Sequence, residues 1–226
     1  MIIYAKGSGS IGEINILQKL ERKEKKPEEL VDFVVKDPKL FAMVFTGTAK
    51  PKANVKYGST KILRIISEKN PKILYPHMDF FIELMDNENQ ILKWNALDII
   101  ANLLEVDKNK KFEEIFDRYY AFITDEEMIT AGHVVDNSGK IALAKPHLRY
   151  KITKHLLTVE TTPRNQECKN ILLGKAILSF HKYFDSAENK NEIISFVKRQ
   201  LNNSRNATKK KAEKFLKKVE KQNKKH

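Results

Sequence analysis

Apolar residues recur along this chain at helical steps. After Pro71, the residues Ile73, Leu74, Met78, Phe81, Leu84 and Met85 fall on one face, while Asp79, Glu83 and Asp86 share the other. That spacing predicts an amphipathic helix with proline in its favoured first turn. Asp86-Asn87-Glu88-Asn89 interrupts the pattern. The next segment, Asn89 to Glu105, is apolar almost all round, and Asn95, Asp98, Asn102 and Glu105 form its one narrow polar stripe. Such a helix is buried against neighbours on several sides. Phe112, Ile115, Phe116, Tyr119 and Phe122 then mark a further amphipathic helix. Strand-like alternation is weak, glycine is scarce beyond residue 12, and no Asn-Gly or Asp-Gly hairpin turn occurs. An all-α chain is expected.

The punctuation repeats. Helical patterns begin near Asn54, Asn89, Glu127, Asn165 and Asn206, at separations of 35, 38, 38 and 41 residues. Second helices are predicted between them, over 71–86, 112–124, 147–158 and 190–202. Lys56-Tyr57-Gly58 with Ile62, Leu63, Ile65 and Ile66 is faintly echoed by Lys93-Trp94-Asn95 with Ile99, Ile100, Ala101 and Leu103. On this period, residues 27–204 resemble the HEAT/armadillo class of α-solenoids, whose helix pairs span about 35–45 residues. The turn Asp and following Arg/Lys of the HEAT consensus do not recur regularly here. The resemblance implies an α-α superhelix of antiparallel helix pairs, each pair burying its apolar side against the next.

The ends suit that expectation. Ile14, Leu17 and Leu20 give a helix over about 14–25 an inward side. Thr208, Ala212, Phe215, Leu216 and Val219 form one stripe on a lysine-covered segment, predicting a capping helix over about 205–222. Residues 1–12, with Gly7-Ser8-Gly9-Ser10, read as a flexible lead-in to one helical-repeat domain over 13–226.

Charge divides the chain further. The 226 residues carry a formal net charge of +13, but residues 71–127 alone sum to −7 and residues 140–226 to +15. More than half of that basic excess lies in the last 23 residues, at +8. Such a field steers an anionic partner to one end. A composition 41% hydrophobic excludes general disorder. A single cysteine, Cys168, excludes an intramolecular disulfide framework. The start lacks a signal-peptide core, and no apolar run approaches the ~20 residues that span a bilayer. A soluble, cytoplasmic protein without a membrane span is expected.

Catalytic chemistry finds little support. His77, His133, His147, His155, His181 and His226 show no zinc-type spacing, and no metal or cofactor is expected. Nucleophile-elbow, dinucleotide and P-loop motifs are absent. Cys168 beside Lys169 reads as an idle or buried thiol. Trp94 and Asp98 lie one turn apart in a Lys-Trp-Asn-Ala-Leu-Asp segment. This pair is similar to that of HEAT-like DNA glycosylases for alkylated bases. The resemblance implies an aromatic ring against a cationic lesion and a carboxylate stabilising a sugar cation. That family's pattern is Trp-Asp-x-x-Asp, and Asn95 replaces its first aspartate. Without that resemblance, Trp94 is expected to fill space between helices.

The leading expectation is a non-enzymatic scaffold binding a protein partner along its groove. Second helices are taken to line that groove, so the candidate contacts are Asp79, Glu83, Asp117, Arg149, Lys151, Lys154, Lys198 and Arg199. The alternative is nucleic-acid binding through Arg205, Lys209, Lys210, Lys211, Lys214, Lys217 and Lys218. A set rich in lysine and poor in arginine, with few aromatics interleaved, predicts weak, salt-sensitive, sequence-blind contact with phosphates.

Overall fold

A computed structural model describes residues 15–223. The predicted lead-in over 1–12, Ile14, and the terminal Lys224, Lys225 and His226 lie outside the described residues. Every regular element among the described residues is helical. The chain divides into two compact units, up to Ile66 and from Ser67 onward.

The first unit holds α1 (Ile16–Glu21), α2 (Pro27–Lys36), α3 (Pro38–Gly47) and most of α4 (Ala53–Lys69). Asn15 caps α1 through its side chain, which accepts from the Gln18 amide, and Lys23 ends it at φ 56°. That helix is shorter than the predicted 14–25 because a left-handed residue cannot continue it. Asp37 caps α3 by accepting from the amides of Lys39 and Leu40, with Pro38 at the first helical position. Ile16, Leu20, Leu30, Val31, Val34, Val44, Ile62, Leu63 and Ile66 make the core. Glu21 pairs with Lys52 and Glu28 with Lys61 across it.

The second unit is a run of helix pairs. Its elements are α5 (Pro71–Leu74), α6 (Met78–Leu84), α7 (Gln90–Leu103), α8 (Lys111–Ala121), α9 (Met128–Ala144), α10 (Arg149–Leu157), α11 (Gln166–Tyr183), α12 (Lys190–Arg199) and α13 (Asn206–Asn223). Short 3-10 turns bridge α5 to α6 at Tyr75–His77 and follow α7, α8, α10, α11 and α12. The long first helices α7, α9, α11 and α13 start where the period places them. Asn89 and Asn165 explain two of these starts, since each accepts from a backbone amide three residues on. The capping helix runs Asn206–Asn223, and its Thr208, Ala212, Phe215 and Val219 are buried as the stripe predicts.

The first helices lie side by side, α7 on α9, α9 on α11 and α11 on α13, whereas the second helices touch one another sparingly. Small residues permit the close approach. A methyl group at Gly139 would sit 2.9 Å from the Ser179 carbonyl oxygen, and one at Gly174 would sit 2.8 Å from Thr208 Oγ1. The Ser179 hydroxyl donates to the Val135 carbonyl in the same seam.

Polar contacts repeat with the period. Lys111 reaches Asp79 at 2.6 Å, Lys145 reaches Asp107 at 2.8 Å, and Arg205 reaches Glu167 at 2.6 Å. Arg118 pairs with Asp86 and Lys175 with Asp136 in the same manner. Each links a residue to one about a helix pair earlier. Arg164 donates to the carbonyls of Ile123, Asp125 and Glu126, satisfying the turn that ends α8.

Candidate functional site

Each first helix of the second unit contributes a row at steps of four and three to one face. Residues Ile91, Asn95 and Asp98 form it on α7, ending at the buried Asn102, and Ile129, His133, Asp136, Lys140 and Leu143 form it on α9. On α11 it is Ile171, Lys175, Leu178 and Lys182, and on α13 it is Lys211, Lys214 and Lys218. Neighbouring stripes interlock. His133 Nδ1 lies 2.8 Å from Asp98 Oδ1, Lys140 donates to Asn102, and Lys175 pairs with Asp136. The Lys182 side chain lies over Gly139 and that of Lys211 over Gly174. Large apolar side chains stay exposed within this face, with Ile129 at 46%, Leu143 at 52% and Leu178 at 47%.

Charge changes sign along it. Aspartate and asparagine make up the polar part of the α7 row, acid and base mix on the α9 row, and lysine alone carries the charge on the α11 and α13 rows. Burial lowers the Lys211 pKa first; Lys175 and Arg205 lower it further, against Asp136. Burial also lowers that of His181, with Lys218 and Lys214 adding to it against Asp185. Lys140 is lowered by burial and by Lys182, against Asp98, Glu68 and Glu105.

The Trp94–Asp98 pair sits at the start of this face. Trp94 is half-buried, donates from Nε1 to Thr130 Oγ1 at 2.9 Å, and stacks on His133 at 5.9 Å between ring centroids. Asp98 Oδ1 accepts from Asn137 at 2.9 Å as well as meeting His133. Asn137 also donates to the Tyr119 hydroxyl at 3.4 Å, which itself donates to the Leu97 carbonyl. The indole edge and the carboxylate are therefore tied into the α7–α9 seam.

The expected groove residues all lie on the second helices α6, α8, α10 and α12. Asp79, Lys154 and Arg199 are paired there with Lys111, Glu192 and Glu160. Arg149 donates from Nε to the Ala142 carbonyl. Glu83, Asp117, Lys151 and Lys198 are exposed, and Asp117 faces His155 electrostatically. Of the expected phosphate-binding set, Arg205 is paired with Glu167. Lys209, Lys210, Lys211, Lys214, Lys217 and Lys218 meet no carboxylate within ion-pairing distance among the described residues. The sequence reading missed Lys140, Leu143, Lys175, Leu178 and Lys182. Their four-and-three spacing within the long helices was the available signal.

Among the described residues, no three His, Cys, Asp or Glu side chains are grouped to hold a metal ion. No described helix is long and apolar enough to cross a membrane.

No protein-family model matches the sequence, and no curated protein matches it. Solved structures do. A designed armadillo repeat protein, YIII(Dq)4CqI, aligns over 92% of this chain and 95% of its own, with a TM-score of 0.52 at 12% identity. A crystal structure of an engineered protein aligns over 92% and 93%, with a TM-score of 0.51 at 10% identity. The fold is an armadillo/HEAT-like helical repeat. At these identities the likeness covers the path of the backbone alone, so the armadillo-like chain's function rests on its own side chains.

Proposed function

We propose that residues 13–226 act as one non-enzymatic helical-repeat scaffold that binds another protein, with the first-helix face of the second unit as the contact surface. One observation supports this reading: the face keeps Ile129, Leu143 and Leu178 exposed among charged residues, on helices held nearly backbone to backbone. In a stack of helix pairs, the more closely spaced layer lies inside any bend, where an extended partner gains contacts from several repeats. Exposed apolar side chains supply contact area, and surrounding charge sets register and partner choice. The second-helix residues Asp79, Lys154 and Arg199 act instead in holding successive pairs together.

Site-specific photo-cross-linking in a native lysate tests the assignment. A probe at Ile129 or Leu178 is expected to trap protein, while one at Asp117 or Lys151 is not. Adducts only from Asp117 and Lys151, or none from any position, overturn it.

The nucleic-acid alternative draws on the unpaired lysines of α13. It requires binding to duplex that falls with salt at a slope of about −0.9 per phosphate neutralised. The base-excision alternative is the weakest, because Asp98 and Trp94 already have partners. It requires release of alkylated base that Asp98→Ala abolishes in a folded protein. A cytoplasmic location belongs to the scaffold reading and is checked by imaging the tagged chain.

A further inference from the structure

We infer that the α9–α13 part of the first-helix face docks an extended peptide segment with apolar residues at one end and acidic residues at the other. This rests on the scaffold reading and names the partner's chemistry.

The apolar end has a receptor. Ala101, Asn102, Glu105, Lys140, Leu143 and Ala144 line a hollow of about 340 Å³ where α7 meets α9. Leu143 forms one wall while remaining 52% exposed, so an entering apolar side chain removes its surface from water. Leu178 continues the apolar track one helix further, between Lys175 and Lys182 on the same stripe.

The acidic end follows from charge. Lys175 already meets Asp136, but Lys182, Lys214 and Lys218 have no carboxylate within ion-pairing distance among the described residues. Lys211 lies over Gly174 on α11, where Lys175 acts on it as a like charge. A run of carboxylates relieves that repulsion. Packed helices lie about 8–10 Å apart, so α9 to α13 spans roughly 16–20 Å. An extended chain rises about 3.3 Å per residue, so about five or six residues cross it.

Two other occupants fit less well. A nucleic acid offers phosphates to the lysines but nothing apolar to Leu143 and Leu178, and the α11 and α13 stripes carry no aromatic to stack a base. A second copy of this chain would have to present its acidic stretch, where Asp79, Asp86, Asp107, Glu113 and Asp125 are already paired and the other carboxylates are set on helices and short turns, not along an extended segment.

Fluorescence anisotropy with the full chain decides the matter. The probe is a labelled peptide of two leucines followed by glutamates. Its controls are the same peptide with glutamine for glutamate, and a labelled DNA duplex. The glutamate peptide is expected to bind and the glutamine peptide to lose about tenfold or more in affinity. Lys182→Glu with Lys214→Glu and Lys218→Glu should reduce peptide binding by a similar factor, and Leu143→Asp should weaken it several-fold. Lys198→Glu, on the second layer, should change neither. Thermal melting of each variant separates lost binding from lost folding. If Leu143→Asp unfolds the chain, Leu178→Gln replaces it in the same assay. Absence of peptide binding, or a lysine-dependent affinity for duplex that equals the peptide's while the leucine variants bind normally, overturns the inference. Adducts from Ile129 that persist in that event keep the scaffold reading and remove only this partner.

Discussion

The acidic stretch from α5 to α8 and the basic helix α13 carry opposite charge and use it differently. In the acidic stretch, charge has become internal structure. Asp79, Asp86, Asp107, Glu113 and Asp125 each meet a cation, and Lys145 serves two of them. On α13 the described lysines meet no carboxylate within ion-pairing distance, and all of them but the half-buried Lys211 and Lys218 are exposed. Net charge along a sequence therefore does not report how charge is arranged. Lys93, Lys111 and Arg118 already count in the −7 of residues 71–127, so among these pairs only Lys145 brings charge from outside, whereas the α13 lysines have no such carboxylate partners among the described residues.

The contrast can be broken most severely at Lys145. Its side chain is 6% exposed and its ammonium meets Asp107, whose side chain is fully buried. Burial raises the Asp107 pKa, but Lys145, the Tyr75 hydroxyl and the amides of Phe112 and Lys111 outweigh it and hold the carboxyl below its usual range. Lys145→Met leaves that charge uncompensated and should cost about 3–5 kcal/mol in denaturant unfolding. Because the folded-state pKa is depressed, this group stabilises the protein above the ordinary carboxylate value. The contribution is lost as pH falls through the folded-state pKa. Acid unfolding of Asp107→Asn, begun from lower stability, should show less dependence on pH below about 4.

The tight layer breaks at Gly139. A Gly139→Ala methyl meets the Ser179 backbone at 2.9 Å, and overpacking of this kind costs about 1–3 kcal/mol. A thermal melt of the purified variant measures it.

Histidines sharpen the comparison at milder pH. His155 stacks on Tyr120 at 4.9 Å, and burial with Lys151 lowers its pKa against Asp117. Its neutral form stabilises the fold above about pH 6.5, and that contribution falls as pH drops through the lowered value. His155→Gln should flatten the dependence of unfolding midpoint on pH between ~6.5 and ~5. The smallest effect belongs to the basic helix. Lys209→Ala with Lys217→Ala should shift stability by no more than about 0.5 kcal/mol, since neither side chain has a partner to lose. A larger loss in urea unfolding would show that these lysines do support the stack.

Much of the architecture was legible because period and capping agree. Asn89 and Asn165 announce first helices chemically, and Pro71 and Pro146 stand at the turns into second helices. Of the polar stripe on α7, Asn95 and Asp98 are half-buried, Glu105 just beyond it is exposed, and Asn102 is buried against Ser67. Between 26 and 53 the reading gave no elements, although Pro27 and the Asp37-Pro38 step were visible breaks for α2 and α3. The site was less legible. Which layer packs closely depends on Gly139 and Gly174 meeting another helix, and a helical glycine gives no direction by itself. Lys145 looked like any surface lysine, because its partners lie a full repeat away in sequence.

Those long-range pairs also make the junctions non-interchangeable. Lys111 seeks Asp79 near the surface, Lys145 seeks Asp107 in the interior, and Arg205 seeks Glu167, so the two Lys–Asp pairs differ in depth and the third differs in its side chains. Excising residues 128–165 would preserve the helical period yet join surfaces that have no complementary partners. Shuffled or duplicated pairs would face the same mismatch. The serial order of the helices is thus encoded at their seams, which disfavours out-of-register stacking while the chain folds.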